Sequence, residues 1–191
     1  ANWCIDCAEQ YLVPLYQQMH RLLVQREVIC ADETTCQVLH EKGRAAQATS
    51  YMWIYLSNSS GLPPIILYDY QPSRGGYHAE EFLKGFSGYL ICDGFSGYNK
   101  LKGVIRCGCL AHMRRYWKEA LPGKTRKSSD KTPAEIGLDY CNQLFELEKE
   151  YADLDADTRK AERLETKPAI WEAYWSWLET VNPAGGSRLA K

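Results

Sequence analysis

Tyr89-Leu90-Ile91-Cys92-Asp93-Gly94-Phe95-Ser96-Gly97-Tyr98 is the stretch from which the fold can be read. Apolar residues run into one aspartate, and a glycine-flanked turn follows at once. This is the form of a buried strand that ends by presenting a carboxylate at its tip. Val28-Ile29-Cys30-Ala31-Asp32-Glu33 has the same form. Two such strands lying side by side would bring two carboxylates to one edge of a sheet. Acids placed in this way either hold a metal ion or cap their strands.

The rest of the 191-residue chain is long enough to bury a real core around them. Its 45% hydrophobic and 12% aromatic content excludes a disordered chain. No apolar run approaches the roughly 18 residues of a membrane helix, and no signal peptide opens the sequence. Eight irregularly spaced cysteines are expected to be reduced thiols of a cytoplasmic protein. The net charge of −1 conceals an asymmetry. Residues 100–131 hold ten Lys or Arg against Glu119 and Asp130, which is +8 there and −9 elsewhere. Such a stretch is either a phosphate-binding face or a solvated basic loop.

Outward from the two acids, the apolar spacing predicts a helix over 8–25, with Leu12, Leu15, Tyr16, Met19, Leu22 and Leu23 on one stripe. A strand over 27–32 follows, then a polar loop or irregular hairpin over 33–50. Tyr51-Met52-Trp53-Ile54-Tyr55-Leu56 reads as a strand, and Ile65 to Tyr70 as another after the turn residues 57–64. These three strands form an antiparallel meander. After a loop at 72–76 come a helix at 78–86, the strand ending at Asp93, a short turn or helix at 96–101, a strand at 104–107 and a helix at 109–121. Three antiparallel strands followed by alternating helix and strand describe a mixed α/β sheet. Residues 122–131 read as a basic linker. Thr132-Pro133-Ala134-Glu135 opens a helix with a capping-box pattern, and the acidic remainder is helical to about 182. Ile170, Trp171, Tyr174, Trp175, Leu178 and Val181 form its packing stripe.

Four strings occur in order: Ala31-Asp32-Glu33-Thr34; Tyr68-Asp69-Tyr70-Gln71-Pro72-Ser73-Arg74; Gly88 to Asn99; and Cys107-Gly108-Cys109-Leu110-Ala111-His112-Met113-Arg114-Arg115. Together they resemble the DDE transposases of bacterial insertion sequences, specifically the insertion-sequence-sixty-six family, over roughly residues 10–180. The resemblance implies an RNase H-like fold in which the first and fourth strands are neighbours. It divides the chain into an N-terminal helix packed on the core (1–26), an incomplete catalytic core (27–121), and a basic linker with a helical insertion (122–191).

In such enzymes three acids bind two Mg²⁺ or Mn²⁺ ions, which activate water to nick the element's end before the freed 3′-OH attacks target DNA. The resemblance makes Asp32 the first acid and Asp93 the second, both as catalytic metal ligands. The third is a family glutamate beside an Asp-Asn-Asn-x-x-Glu-Arg-like string that this sequence lacks. The chain is therefore expected to stop short of it and to be inactive alone. The implied partners are DNA, at insertion-sequence ends and target, and further copies of the transposase.

Arg114, Arg115, Lys118, Lys124, Arg126 and Lys127 are the candidate phosphate contacts. Cys109 and His112 match a Cys-x-x-His motif of many DDE transposases and would support the active-site helix. A zinc site on Cys107, Cys109 and His112 is the less favoured alternative, because the spacing is not that of a finger pair. Cys4-Ile5-Asp6-Cys7 follows no βαβ unit and reads as incidental thiols. Glu33 is expected to point away from Asp32 and to act at most behind it. Two other readings stay open: a non-catalytic DNA-binding or regulatory remnant of a transposase, and another RNase H-like nuclease such as a resolvase.

Overall fold

A ten-residue strand, β1 (Val28–Gln37), lies at the centre of a five-stranded sheet. The computed structural model describes residues 2–57, 61–123, 130–183 and 185–186. It divides into two units, Ala1–Cys109 and Leu110–Lys191. In the first, β1 pairs antiparallel with β2 (Thr49–Ser57), which pairs antiparallel with β3 (Ile66–Gln71). On its other side β1 pairs parallel with β4 (Tyr89–Cys92), and β4 with β5 (Ile105–Gly108). The order β3-β2-β1-β4-β5 makes an open mixed sheet, as the meander and the following alternation predict.

Alternation along β1 assigns its faces. Ile29 and Ala31 are buried while Val28, Cys30 and Asp32 are only partly so. Ile29 and Ala31 join Trp53, Tyr55, Leu67, Leu90 and Cys92 in one core, closed by Leu23, Phe82, Leu83, Phe86 and Tyr98. Tyr55 stacks on Phe82 with ring centroids 3.8 Å apart. Full burial of side chains this large is worth roughly 1.5–3 kcal/mol each.

Three expectations for the first unit need correction. β1 does not end at Asp32. It continues to Gln37, and Glu33, Thr34, Thr35 and Cys36 pair with Trp53, Met52, Tyr51 and Ser50. Thr34 and Thr35 are exposed, so no burial alternation marked this half as a strand. The N-terminal helix starts earlier, as α1 (Asn2–Cys7), a π-helical segment Ala8–Leu12, and α2 (Val13–Leu23). Pro14, in the first turn of α2, lacks the N–H that a continuous α-helix needs, and the π turn falls just before it. The stripe expected to pack inward is also split. Tyr16, Met19 and Leu23 face the core, whereas Leu12, Leu15 and Leu22 are exposed.

Helix α3 (Gly76–Phe82) and a 3₁₀ turn (Ser96–Lys100) complete the first unit. The second is helical: α4 (Leu110–Glu119), α5 (Pro133–Glu150) and α6 (Ala156–Thr180). The units part after Cys109, so α4 groups with the helices that follow it. Trp117 of α4 packs where Gly137 of α5 has no side chain; a Cβ there would lie 2.4 Å from the indole ring. Thr132 and Glu135 form the full capping box. In the aromatic stripe of α6, Tyr174 is buried against Tyr140 and Trp177, but Trp175 is 55% exposed, against expectation. Adjacent positions on a helix lie about 100° apart, so Tyr174 and Trp175 cannot both face α5. Among the described residues, no helix is long and apolar enough to cross a membrane.

Candidate active site

The parallel ladder between β1 and β4 runs Val28↔Tyr89, Ile29↔Leu90, Cys30↔Ile91. Two residues beyond the last pair lie Asp32 in one strand and Asp93 just past the end of the other, so the register sets them level. Neighbouring strands are about 4.8 Å apart. Asp93 is partly buried and its turn is pinned from several directions. The Phe95 amide donates to Asp93 Oδ1 at 2.9 Å, and Arg106 Nη2 of β5 donates to the Asp93 carbonyl at 3.1 Å. Arg106 Nη1 also donates to Asn99, further along the same turn. Asp32 Oδ1 accepts the Glu33 amide at 2.9 Å.

Glu33 turns away from Asp32, as expected. It points to the core face, as alternation requires, and its side chain is only 1% exposed. Tyr98, fully buried, donates its hydroxyl to Oε2 at 2.7 Å. Arg74 donates from Nε to Oε1 at 2.7 Å, with Nη2 at 2.6 Å from the same oxygen. Burial pushes the Glu33 carboxyl up; the bonds from Tyr98 and Arg74 pull it back, and the nearby Asp93 charge opposes them. Burial and the bond to Glu33 push the Tyr98 hydroxyl far up, so it stays protonated and donates. Arg74 also lies 3.8 Å from Asp93 Oδ2 and sits over the Phe95 ring at 4.2 Å. Residues from β1, the loop after β3 and the turn after β4 thus meet around Asp93.

The loop carrying Arg74 is held by close backbone packing. A Cβ on Gly76 would lie 2.5 Å from the Gly97 carbonyl oxygen and 2.6 Å from its Cα. Only glycine lets the start of α3 approach the 3₁₀ turn this closely. Ser73 Oγ, 2.9 Å from His78 Nε2, ties the loop to α3. Burial holds the His78 imidazole below its ordinary value, so it serves as a neutral hydrogen-bond partner here.

Of the other expected site residues, one closes the first unit and the rest fall in the second unit or outside the described residues. Cys109 follows β5, its amide bonded to the Cys92 carbonyl at 2.9 Å; His112 lies in α4, in the second unit. Arg114 is engaged within the helices, donating to Asn142 at 2.8 Å and lying over Phe145 at 5.6 Å. Arg115 and Lys118 are exposed on α4, Arg115 within 4.0 Å of Glu119. Lys124, Arg126 and Lys127 lie outside the described residues. All eight cysteines are free thiols.

For a metal, the donor chemistry points to hard cations. Asp32 and Asp93 offer carboxylate oxygens, the ligand type Mg²⁺ and Mn²⁺ take while keeping several waters. Among the described residues, no group of three or more His, Cys, Asp or Glu side chains is gathered as a metal site. Asp32 and Asp93 by themselves do not make up such a group. Sequence reasoning passed over Arg74 and Tyr98 and undervalued Glu33. The available signal was an arginine closing the quoted string Tyr68 to Arg74, directly before the loop glycines Gly75 and Gly76.

Comparison with known proteins places the chain in a family. The profile described as Transposase IS66 family matches residues 1–191, the whole chain, which therefore belongs to that family. Three curated proteins of Sinorhizobium fredii are similar to it, each named only as an uncharacterized protein. The one called y4qI is 29% identical over 84% of this chain and 31% of its own length. The one called y4hP is 25% identical over 91% of this chain and 34% of its own. The chain thus spans about a third of the length of these relatives. No solved structure matches it.

Proposed function

We propose that this member of the IS66 transposase family forms part of an RNase H-like catalytic domain, with Asp32 and Asp93 as two of the acids that bind divalent metal for DNA strand cleavage and transfer. The observation that carries the reading is the parallel β1–β4 pairing, which levels the two aspartates on neighbouring strands. The strand order, an antiparallel meander extended by two parallel strands beyond β1, supports it. When bound, Mg²⁺ or Mn²⁺ supplies Lewis acidity to the scissile phosphate and a nucleophile at neutral pH. The protein's part is to hold the aspartates. Strand pairing fixes Asp32, and the Phe95 amide and the Arg106 contact to the Asp93 carbonyl fix the Asp93 turn. Arg115 and Lys118, exposed on α4, are the described candidates for contact with DNA phosphates, since Arg114 is occupied by Asn142 and Phe145. Free cysteines suit a reducing cytoplasm.

The test uses a full-length transposase carrying this chain, Mg²⁺ and element-end DNA. Asp93→Asn should abolish cleavage while leaving the circular dichroism spectrum and melting temperature unchanged. Undiminished cleavage by a folded Asp93→Asn protein would refute the assignment.

A further inference from the structure

Asp69 of β3 is a half-buried carboxylate on the same side of the strand as core residue Leu67. Its side chain accepts one hydrogen bond, from Gln71 Nε2 to Oδ2 at 2.9 Å. Among the described residues no Lys, Arg or His forms an ion pair with it. Its charge reaches inward: burial first, and Asp69 after it, push the Tyr16 and Tyr55 hydroxyls up. A carboxylate partly removed from water gains more from a cation than one on the open surface.

A cavity of about 410 Å³ between α2, β3 and α3 opens onto this residue. Its walls are aromatic and fixed. Phe82 is stacked on Tyr55 with centroids 3.8 Å apart and is met edge-on by His20 at 4.6 Å. Tyr16 donates its hydroxyl to the Tyr68 carbonyl at 2.9 Å, and His20 Nε2 donates to the Phe82 carbonyl at 2.7 Å. Glu81 and Arg21 lie at the exposed rim, and neither forms an ion pair. Two carboxylates against one guanidinium leave the lining with an acid in excess. Rings beside an unpaired carboxylate select among cations. An ammonium is compact and strongly hydrated, whereas a guanidinium is planar, weakly hydrated, stacks on aromatic faces and bonds carboxylates through its N–H groups.

We infer that this cavity binds a guanidinium group, with Asp69 as its anionic anchor and the Phe82 and Tyr16 rings as its walls. A free guanidino compound and an arginine side chain of a partner present this same head group. The site uses neither Asp32 nor Asp93 and does not depend on the metal reading.

Nuclear magnetic resonance on the full chain tests this, with methylguanidinium as the probe. Methylguanidinium should bind in the millimolar range and show intermolecular Overhauser contacts from its methyl group to the Tyr16 and Phe82 rings. Asp69→Asn keeps an acceptor for Gln71 and should weaken binding about tenfold or more, the scale of one lost charge-assisted hydrogen bond. Glu81→Gln, at the rim, should weaken it less. Methylammonium should bind several-fold more weakly than methylguanidinium. Absence of the Tyr16 and Phe82 contacts in the wild-type protein would overturn the inference, whatever the variants do to the fold. Wild-type affinity in a folded Asp69→Asn protein would overturn it too, as would methylammonium binding as tightly as methylguanidinium. Agmatine and Nα-acetylarginine amide carry the same head group on a free and a peptide-like tail, and the tighter of the two identifies the source.

Discussion

Gly76→Ala should loosen the candidate site from outside it. The added Cβ would lie 2.5 Å from the Gly97 carbonyl oxygen, where ordinary contact begins near 3.4 Å, so the two segments must separate by about 0.9 Å. Both partners are backbone, and no rotamer change relieves the clash. Overpacking of this kind costs about 1–3 kcal/mol. The strain falls on the 3₁₀ turn whose Tyr98 hydroxyl reaches Glu33. Gly94→Ala is the matched control, since a Cβ there meets nothing within 4 Å and its φ lies outside the left-handed region. Native-state hydrogen exchange at the Tyr89 and Ile105 amides, bonded to the Glu27 and Gly88 carbonyls, reads the local stability. Exchange at these amides should accelerate about 5- to 150-fold in Gly76→Ala and stay within a few-fold of wild type in Gly94→Ala. Equal exchange in the two variants would refute the claim that close backbone packing holds this site.

Two further expectations concern the helical unit. Glu148 takes a two-pronged bond from Arg163 and a second cation from Lys167, which hold its carboxyl at about 2 instead of the ordinary 4.5. At about 1.4 kcal/mol per pH unit this is about 3 kcal/mol. Solvent screening at a side chain 32% exposed reduces it to about 1–2 kcal/mol, which Glu148→Gln should remove at pH 7. The folded value lies below the unfolded one, so the contribution is complete above pH 4.5 and fades as pH falls toward 2. Urea unfolding that shows the same deficit at pH 7 and near pH 2 would contradict this. Thr132→Ala should cost about 0.5–2 kcal/mol by opening the capping box at α5, and Thr132→Ser should restore most of it. Matching melting temperatures for Thr132→Ala and wild type would show that the cap contributes nothing.

Local chemistry made much of the fold legible. The aromatic run at 51–56, the apolar run ending at Asp93 and the capping pattern at Thr132 each carry their periodicity or cap within a few residues. What escaped the sequence depends on distant partners. The second half of β1 is polar on both faces and is a strand because β2 pairs with it. The Glu33 cluster joins residues 41 and 65 positions apart, and no local pattern reports such a meeting. The exposure of Trp175 beside buried Tyr174 was likewise decided by which side of α6 meets α5.

The position of β1 between an early partner and a late one also sets an order of assembly. Its pairing with β2 closes a short hairpin, but its pairing with β4 joins Val28 to Tyr89, across some sixty residues. Loop closure over that span is slower and entropically costlier than a hairpin. Contact order therefore predicts that the meander forms before Asp93 docks, so that the two aspartates become neighbours after the β1–β2 hairpin has closed. The same asymmetry predicts that on mild destabilisation β4 and β5 detach before the meander opens. Amide exchange should then be faster at Tyr89 and Ile105 than along the β1–β2 ladder, and the reverse order would contradict this history. The candidate site would then be completed late in folding and opened early in unfolding.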